Sequence, residues 1–474
     1  MASDAAGRTF VARHRGDIVT ATVALVARMA VVVWAAGRWA PAADGVYYHT
    51  LAVRIARGLG STWAWPDGAV TYAAHYPVGY PALLAAAYRA FGDTVSVAGA
   101  VNAVVGTLAA LAAYRLVIAS ERPQWALSAG LAVALHPALV MYTPAVMTEG
   151  ITAALVATGA WAASGKKWYA AAVVGCVVGA ATLVRPQSIL LAPLFGALAC
   201  SSPRARVAAR FRGALTALVA ALLICAPWTL RNCVRMHRCA LVSFNGGWNL
   251  LIGSSERATG SFAPIDVPEA CRTVWDEAEK DICFGREARR VIAAHPGRFL
   301  ALVPARLAAT FDYSGAPGYY LHASNPDAFG DRAKLLLGAV ETVYERFAYL
   351  GALAAAALWR GPRQRVRFAV AVFSALLLLQ VHAYLAVLGL CAVLGLLGRS
   401  LFEGPPLLPA TLAALGATAV AHAVFFGAGR YSMVVFPLVT ALAFLRGAPS
   451  STGTLTARTS ERDTDGPKRR MECP

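Results

Sequence analysis

Charge is scarce in this chain: Asp, Glu, Lys and Arg make up 14% of its 474 residues, against roughly a quarter in soluble domains. Hydrophobic residues fill 58% of it and run along nearly its whole length, more than a soluble fold has interior to hide. The scarcity excludes a string of soluble domains and leaves one membrane-embedded unit. Glycine patterns that cradle phosphates are missing as well. Neither G-x-G-x-x-G nor a P-loop occurs, so no ring of backbone N–H groups is laid out for a free nucleotide. No C-x-x-C pair occurs either, which argues against a structural zinc site. No internal repeat is visible, and no carboxylate that would couple transport to an ion is expected in the middle of a span. Both absences weigh against a transporter.

What charge there is has one dominant sign. The formal net charge is +18, mostly from arginine, and in a membrane protein such an excess belongs in cytoplasmic loops facing anionic lipid rather than on nucleic acid. A span needs roughly 20 apolar residues. Twelve are expected, near 18–38, 95–118, 124–142, 147–164, 168–184, 187–200, 213–230, 343–359, 366–381, 383–398, 407–426 and 431–446. Arg8, Arg13 and Arg15 precede the first one and put the N-terminus inside. Counting alternately from there, the short inner loops hold thirteen basic residues, among them Arg115, Arg122, Lys166, Arg204, Arg206, Arg363 and Arg399, whereas the short outer loops hold only Arg185 and Arg430.

The fold class is therefore an all-α polytopic membrane protein with interfacial helices in the first outer loop. The expected organisation is a cytoplasmic N-terminus (1–17), an N-terminal membrane module (18–230) with a first outer loop (40–94), a large extracytoplasmic loop (231–342), C-terminal membrane helices (343–446) and a cytoplasmic tail (447–474) without periodicity. The split of 366–398 into two spans at Gln380-Val381-His382 sets the side of everything after it. Cys233, Cys239, Cys271 and Cys283 all fall in the large loop, where one or two disulfides are expected, with the pairing open.

Six side chains stand out on the outer face. Asp44 precedes an amphipathic stretch and is either its N-cap or a general base at the membrane surface. Tyr76 and His75 lie in a tyrosine-rich, proline-punctuated run; the tyrosines suit an interfacial belt, and the histidine either meets a phosphate or faces water. Glu149 opens a span and is either a carboxylate placed at a helix N-terminus or a catalytic acid. Arg185 and Arg430 break the charge bias that the other loops obey. Each either snorkels to lipid headgroups or pairs with an anion such as phosphate, which fits the guanidinium fork.

Several phrases occur in an order that is similar to one family. They are the Asp after the first span, YPVGYPALLAAAYRAFG, the TEG loop, LVRPQSILLAPL, PWTLRNCVRMHRCALVSFNGGWNLLIG, REARRVIAAHPGRFLALVPARL and GAGRYSMVVFP. Together, from about Asp17 to Leu445, they resemble bacterial C-type glycosyltransferases, the membrane enzymes related to protein O-mannosyltransferases and to the aminoarabinose transferase of lipid A. The resemblance implies an active site on the extracytoplasmic face of the plasma membrane, a polyprenyl-phosphate-linked sugar as donor and an extracytoplasmic acceptor. It gives Asp44 the task of activating the acceptor. Relatives commonly read Asp-Glu there, but Gly45 follows Asp44 in this chain, so that Glu149 or Asp67 becomes the source of a second carboxylate. Relatives often carry a lysine before the proline motif; here His75-Tyr76-Pro77 stands instead. Phosphate contact then falls to Arg185, Arg430 and Tyr431 with His75 and Tyr76. No organic cofactor is expected, and a divalent metal is left open. The rival readings are a flippase for a lipid-linked sugar and a non-catalytic membrane relative.

Overall fold

The computed structural model describes residues 2–165, 167–201, 207–380 and 382–445, with side chains of the first helix from His14 onward. Lys166, Arg204, Arg206, Val381 and the tail 447–474 lie outside the described residues, as do the side chains of Arg8 and Arg13. The chain is 73% helical. Among the described residues, four helices are long and apolar enough to cross a membrane, within Ala2–Ala35, Val95–Ala119, Val207–Arg235 and Leu407–Val424, and several shorter apolar helices accompany them.

The first ten helices are α1 (Ala2–Ala35), α2 (Asp44–Ala56), α3 (Gly79–Phe91), α4 (Val95–Ala119), α5 (Pro123–Ala134), α6 (Pro137–Met141), α7 (Glu149–Ala163), α8 (Ala170–Val184), α9 (Leu191–Ala199) and α10 (Val207–Arg235). Thr94 caps α4 by accepting from the Val97 N–H. A two-stranded antiparallel ribbon, β1 (Thr62–Ala64) and β2 (Val70–Tyr72), lies between α2 and α3. The core is rich in alanine and is built on α4, α5, α7, α8 and α9 with the C-terminal helices. Small residues let these helices approach closely, as suits packing in lipid, where burial of apolar surface gives little drive. At Gly196 an added Cβ would lie 2.4 Å from the Gly213 carbonyl oxygen, so α9 and α10 meet backbone to backbone. Large apolar groups such as Leu223, Leu230 and Phe373 stand exposed outside this core, where lipid would cover them.

Three features depart from the expected layout. The stretch 124–142 is not one helix: α5 and α6 are separated at Leu135-His136, because Pro137 has no N–H to donate and disfavours helix in the residue before it. The break frees the Ala134 carbonyl, which accepts at 3.0 Å from Arg28, a fully buried arginine of α1. Second, acids do lie inside a long helix. The helix Asp331–Leu358 begins twelve residues before the expected span at 343, and it buries Glu341 and Glu345 one turn apart. Third, the last expected span, near 431–446, is a 3-10 segment Gly429–Val435 followed by a short helix Phe436–Leu442. The split near His382 is present: helices Gln364–Leu378 and Ala383–Gly395 pack with Gly389 against Ser374. Those two positions are symmetric about the turn, so the pair is an antiparallel hairpin.

The 231–342 segment holds helices Gly246–Ser254 and Glu277–Ala294, and Asn245-Gly246-Gly247 serves as a helix start rather than a free turn. It carries two disulfides, Cys233–Cys239 and Cys271–Cys283. The second sits in a small core with Leu251, Phe284 and Ala288.

Candidate active site

Four charged side chains that are distant in sequence meet at one end of the bundle. Asp44 is the first residue of α2, but it caps nothing: the helix has no side-chain cap, and the N-cap position is Ala43. The capping role is thereby excluded. One Asp44 oxygen accepts from the Tyr76 hydroxyl at 2.8 Å and the other from Arg430 Nη2 at 2.8 Å. Arg430 Nε stands 3.4 Å from Glu149 Oε1, and that same oxygen accepts from Arg185 Nη1 at 2.8 Å. The other Glu149 oxygen accepts from the Tyr142 hydroxyl at 3.4 Å. Tyr431 lies beneath both arginines, its ring 4.7 Å from the Arg185 guanidinium carbon and 5.2 Å from that of Arg430. It is itself stacked on His422 at 4.3 Å.

The result is an alternating row: carboxylate, guanidinium, carboxylate, guanidinium. Exposure is highest at the Asp44 end and lowest at Glu149. The side chains of Asp44 and Arg430 are 29% and 26% exposed, Arg185 12% and Glu149 2%. The difference separates the two carboxylates. Glu149 is enclosed between two arginines and a tyrosine and serves to hold them together, since two guanidinium groups this close need an anion between them. Asp44 reaches solvent and can meet a substrate.

The chain brings these groups together by local constraints. Arg185 is in extended backbone between α8 and a 3-10 turn at Pro186–Leu190, the conformation that a following proline favours. Gly427 donates its N–H to the Gly260 carbonyl at 2.8 Å, which ties the segment of Arg430 to the large loop. The loop before Glu149 is held by Asn102 of α4, whose amide donates to the carbonyls of Thr143 and Ala145 at 3.0 and 2.8 Å. Tyr320 binds two further backbones: its hydroxyl accepts from the N–H groups of Ala42 at 3.2 Å and Val146 at 3.3 Å. The same hydroxyl explains Gly45, where a Cβ would lie 2.8 Å from it and 3.0 Å from the Val146 carbonyl oxygen. The Tyr320 hydroxyl fills the space that a side chain at position 45 would need.

The other expected residues separate. Asp67 is in the β1–β2 turn, accepting from the Ala69 N–H at 3.0 Å, and takes no part in the row. His75 is partly buried and makes no hydrogen bond to the four charged groups. Its Nδ1 lies 3.2 Å from the Phe244 carbonyl, and its ring packs on Trp248 and Tyr76. A carbonyl partner puts the proton on Nδ1, and burial lowers the pKa of the ring. Neutral His75 therefore offers an acceptor at Nε2 and no donor for a phosphate. Burial and the Asp44 charge push the Tyr76 phenol up, so it remains the donor to Asp44. Glu277 supports this strand of the site by accepting from the Ala74 N–H at 2.7 Å. Burial pushes the Glu277 carboxyl up to about 7. Asn102, Tyr142, Tyr320 and Glu277 carry no sequence signal at this site beyond the oddity of a lone asparagine within an apolar helix. Among the described residues, no group of three or more His, Cys, Asp and Glu side chains converges.

No protein-family model matches the chain, and no curated protein matches it. Two solved structures are similar to it. One is the crystal structure of the Archaeoglobus fulgidus oligosaccharyltransferase in complex with Zn and sulfate, with a TM-score of 0.41 and 14% identity over 92% of this chain and 54% of that one. This chain thus spans about half the length of that protein. The other is ArnT from Cupriavidus metallidurans in the apo state, with a TM-score of 0.38 and 16% identity over 89% of this chain and 77% of that one. Both are glycosyltransferases of the GT-C fold, the class that the ordered motifs resemble.

Proposed function

We propose that this chain is an inverting membrane glycosyltransferase that moves a sugar from a polyprenyl phosphate to a hydroxyl acceptor outside the cytoplasm. The observation that supports it best is the shared contact of Arg430, which binds the accessible Asp44 at 2.8 Å and lies 3.4 Å from the enclosed Glu149. In the reaction, the acceptor hydroxyl gives its proton to Asp44 as its oxygen bonds to the anomeric carbon, and the bond from that carbon to the phosphate oxygen breaks. Asp44 loses its negative charge in the same event in which the departing phosphate gains one. Arg430 is placed to pass its charge from the first to the second, and Arg185 adds a further guanidinium. Donors fixed before the reaction stabilise such charge without reorganising. Attack from the side opposite the phosphate inverts the anomeric carbon.

The proposed topology is twelve spans with both termini cytoplasmic in the plasma membrane, and with the row of charges, the first outer loop and 231–342 on the extracytoplasmic face. The donor reaches the row through the bilayer, which agrees with the absence of a nucleotide-binding glycine pattern. A second reading, translocation of the lipid-linked sugar, draws on Glu341 and Glu345. Both are buried, and neither Glu341 oxygen has a hydrogen-bond partner; ionisable groups at such places often serve transport. Purified protein in vesicles with labelled polyprenyl-phosphate sugar separates the two. Transfer predicts a new glycosidic bond of inverted configuration, together with free polyprenyl phosphate. Labelled lipid that crosses the bilayer with no bond formed would replace the first reading by the second.

A further inference from the structure

A continuous row of aromatic rings leads away from Asp44. Tyr76, which donates its hydroxyl to that carboxylate, has its ring centre 4.5 Å from that of Tyr47, and Tyr47 is stacked on Trp63 at 4.2 Å with the planes 6° apart. In the other direction Tyr76 meets His75 at 4.9 Å, and His75 meets Trp248 of the large loop at 5.8 Å. Tyr47 stands three residues after Asp44 on α2, a spacing that makes the two neighbours on one helix face. The helix α2, the ribbon and the 231–342 segment thus build one wall beside the proposed base.

Packing alone does not account for the polar tips of this wall. Trp39 gives its indole N–H to the Leu321 carbonyl at 3.0 Å and Trp228 gives its own to the Val242 carbonyl at 2.7 Å. Among the described residues, the indole N–H groups of Trp63 and Trp248 and the hydroxyl of Tyr47 have no such partner, although all three side chains are half-buried. None of these atoms is enclosed, so each is open to a ligand. His75 adds an acceptor at Nε2.

The charged groups around the wall already have partners. Arg54 donates to the Thr62 hydroxyl at 2.9 Å and Arg231 to the Ser61 carbonyl at 2.8 Å, and Arg231 and Arg235 lie over the Tyr72 ring of β2. Glu277 accepts from the Ala74 N–H and Asp281 from the Trp248 backbone N–H. An anionic ligand would meet Asp44 and Glu277 unfavourably. A plain hydrocarbon would leave the N–H groups and the hydroxyl unused, at a cost in desolvation. A sugar ring suits both features, because it has a face of C–H groups to lay on an indole and a rim of hydroxyls for the polar tips.

The geometry points to a binding platform for a neutral sugar, with Trp63 against the C–H face of the ring and Tyr47, Trp248 and His75 at its hydroxyls. Resting on the transferase reading, that sugar is the acceptor. The acceptor class is then a glycan or glycoside, not a serine or threonine side chain and not a phosphorylated lipid. The platform makes and breaks no bond; it holds one acceptor hydroxyl at Asp44.

Saturation-transfer difference NMR on the purified full chain in lipid nanodiscs, free of sugar-based detergent, tests the platform without turnover. The probes are the methyl glycosides of glucose, galactose and mannose, with N-acetylserinamide for comparison. At least one glycoside is expected to bind, with saturation strongest on its ring C–H protons. Trp63→Ala should weaken it roughly tenfold and Trp63→Phe recover most of that. Tyr47→Phe removes one hydroxyl and should cost roughly threefold, which keeps the test informative if Trp63→Ala does not fold; melting curves verify both. In transfer assays with the same probes, Trp63→Ala should raise the acceptor KM by the same factor and leave the donor KM unchanged. Binding of no glycoside, retention of the glycoside by both folded variants, or N-acetylserinamide as the better acceptor overturns the proposal. Failure of the transferase reading looks different: the glycoside binds through Trp63, which upholds the platform, while the donor sugar is never transferred.

Discussion

Arg430 donates to a carboxylate that solvent can reach and stands next to one that it cannot. Removing it breaks two contacts at once and leaves Glu149 with Arg185 as its remaining cation. Arg430→Gln is therefore expected to lower the turnover number by about 10²–10³, the usual loss for one preorganised donor, and Arg430→Lys to restore part of it; steady-state transfer rates in membranes decide. Gly45 makes the opposite kind of demand, for space. Gly45→Ala forces a Cβ against the Tyr320 hydroxyl and the Val146 carbonyl and should destabilise the chain by about 1–3 kcal/mol, read as a lowered melting temperature. Asp44, Arg185 and Arg430 were visible in the sequence because charge is rare and each sits in an apolar setting. Tyr320 and Asn102 were not, because what they hold is backbone far away in the chain, and a tyrosine or an asparagine alone says nothing about which carbonyl or N–H it will find.

The helix Glu277–Ala294 acts on the site through its first residue, by the bond from the Ala74 N–H to Glu277. Its carboxyl is raised from 4.5 to about 7 by burial. A group raised on folding contributes stability that is fully present below the unfolded value and lost as pH rises through the folded one. The wild-type chain should thus lose stability between about pH 4.5 and pH 7, by about 2 kcal/mol after allowing for partial exposure. Glu277→Gln should be flat over that window; parallel slopes of melting temperature against pH for the two chains would refute the assignment. Among the elements, α3, α4, α7 and α8 follow the apolar runs closely, because length and hydropathy alone define them. The break at His136-Pro137 was passed over since apolar residues continue on both sides of it, although the proline marked the place. Glu341 was hidden in a similar way: the helix starts before the apolar run, and its polar start reads as loop; Glu345 lies just inside the expected span 343–359, near its beginning.

For the whole molecule, the scarcity of charge carries the main inference. Helices rich in alanine and glycine pack closely enough to bring loops from four parts of the chain to one end of the bundle, and there Asp44, Arg430, Glu149 and Arg185 pair with each other. The proposed direction of the topology rests on counting arginines and on the hairpin of Ser374 and Gly389, which sets the side of the later helices. What the sequence could not supply was the connection between Asp44 and Arg430, 386 residues apart. That connection is the central claim in its most testable form: Asp44 takes the proton from the acceptor, and Arg430 moves its charge from Asp44 to the phosphate. The direct measurement is the single-turnover rate of sugar transfer by purified wild-type and Asp44→Asn chains at matched folded concentration. A general base contributes about 10²–10⁴ in rate, and the account predicts a loss of that size with donor binding retained. An Asp44→Asn chain that transfers sugar within about twofold of wild type would contradict it.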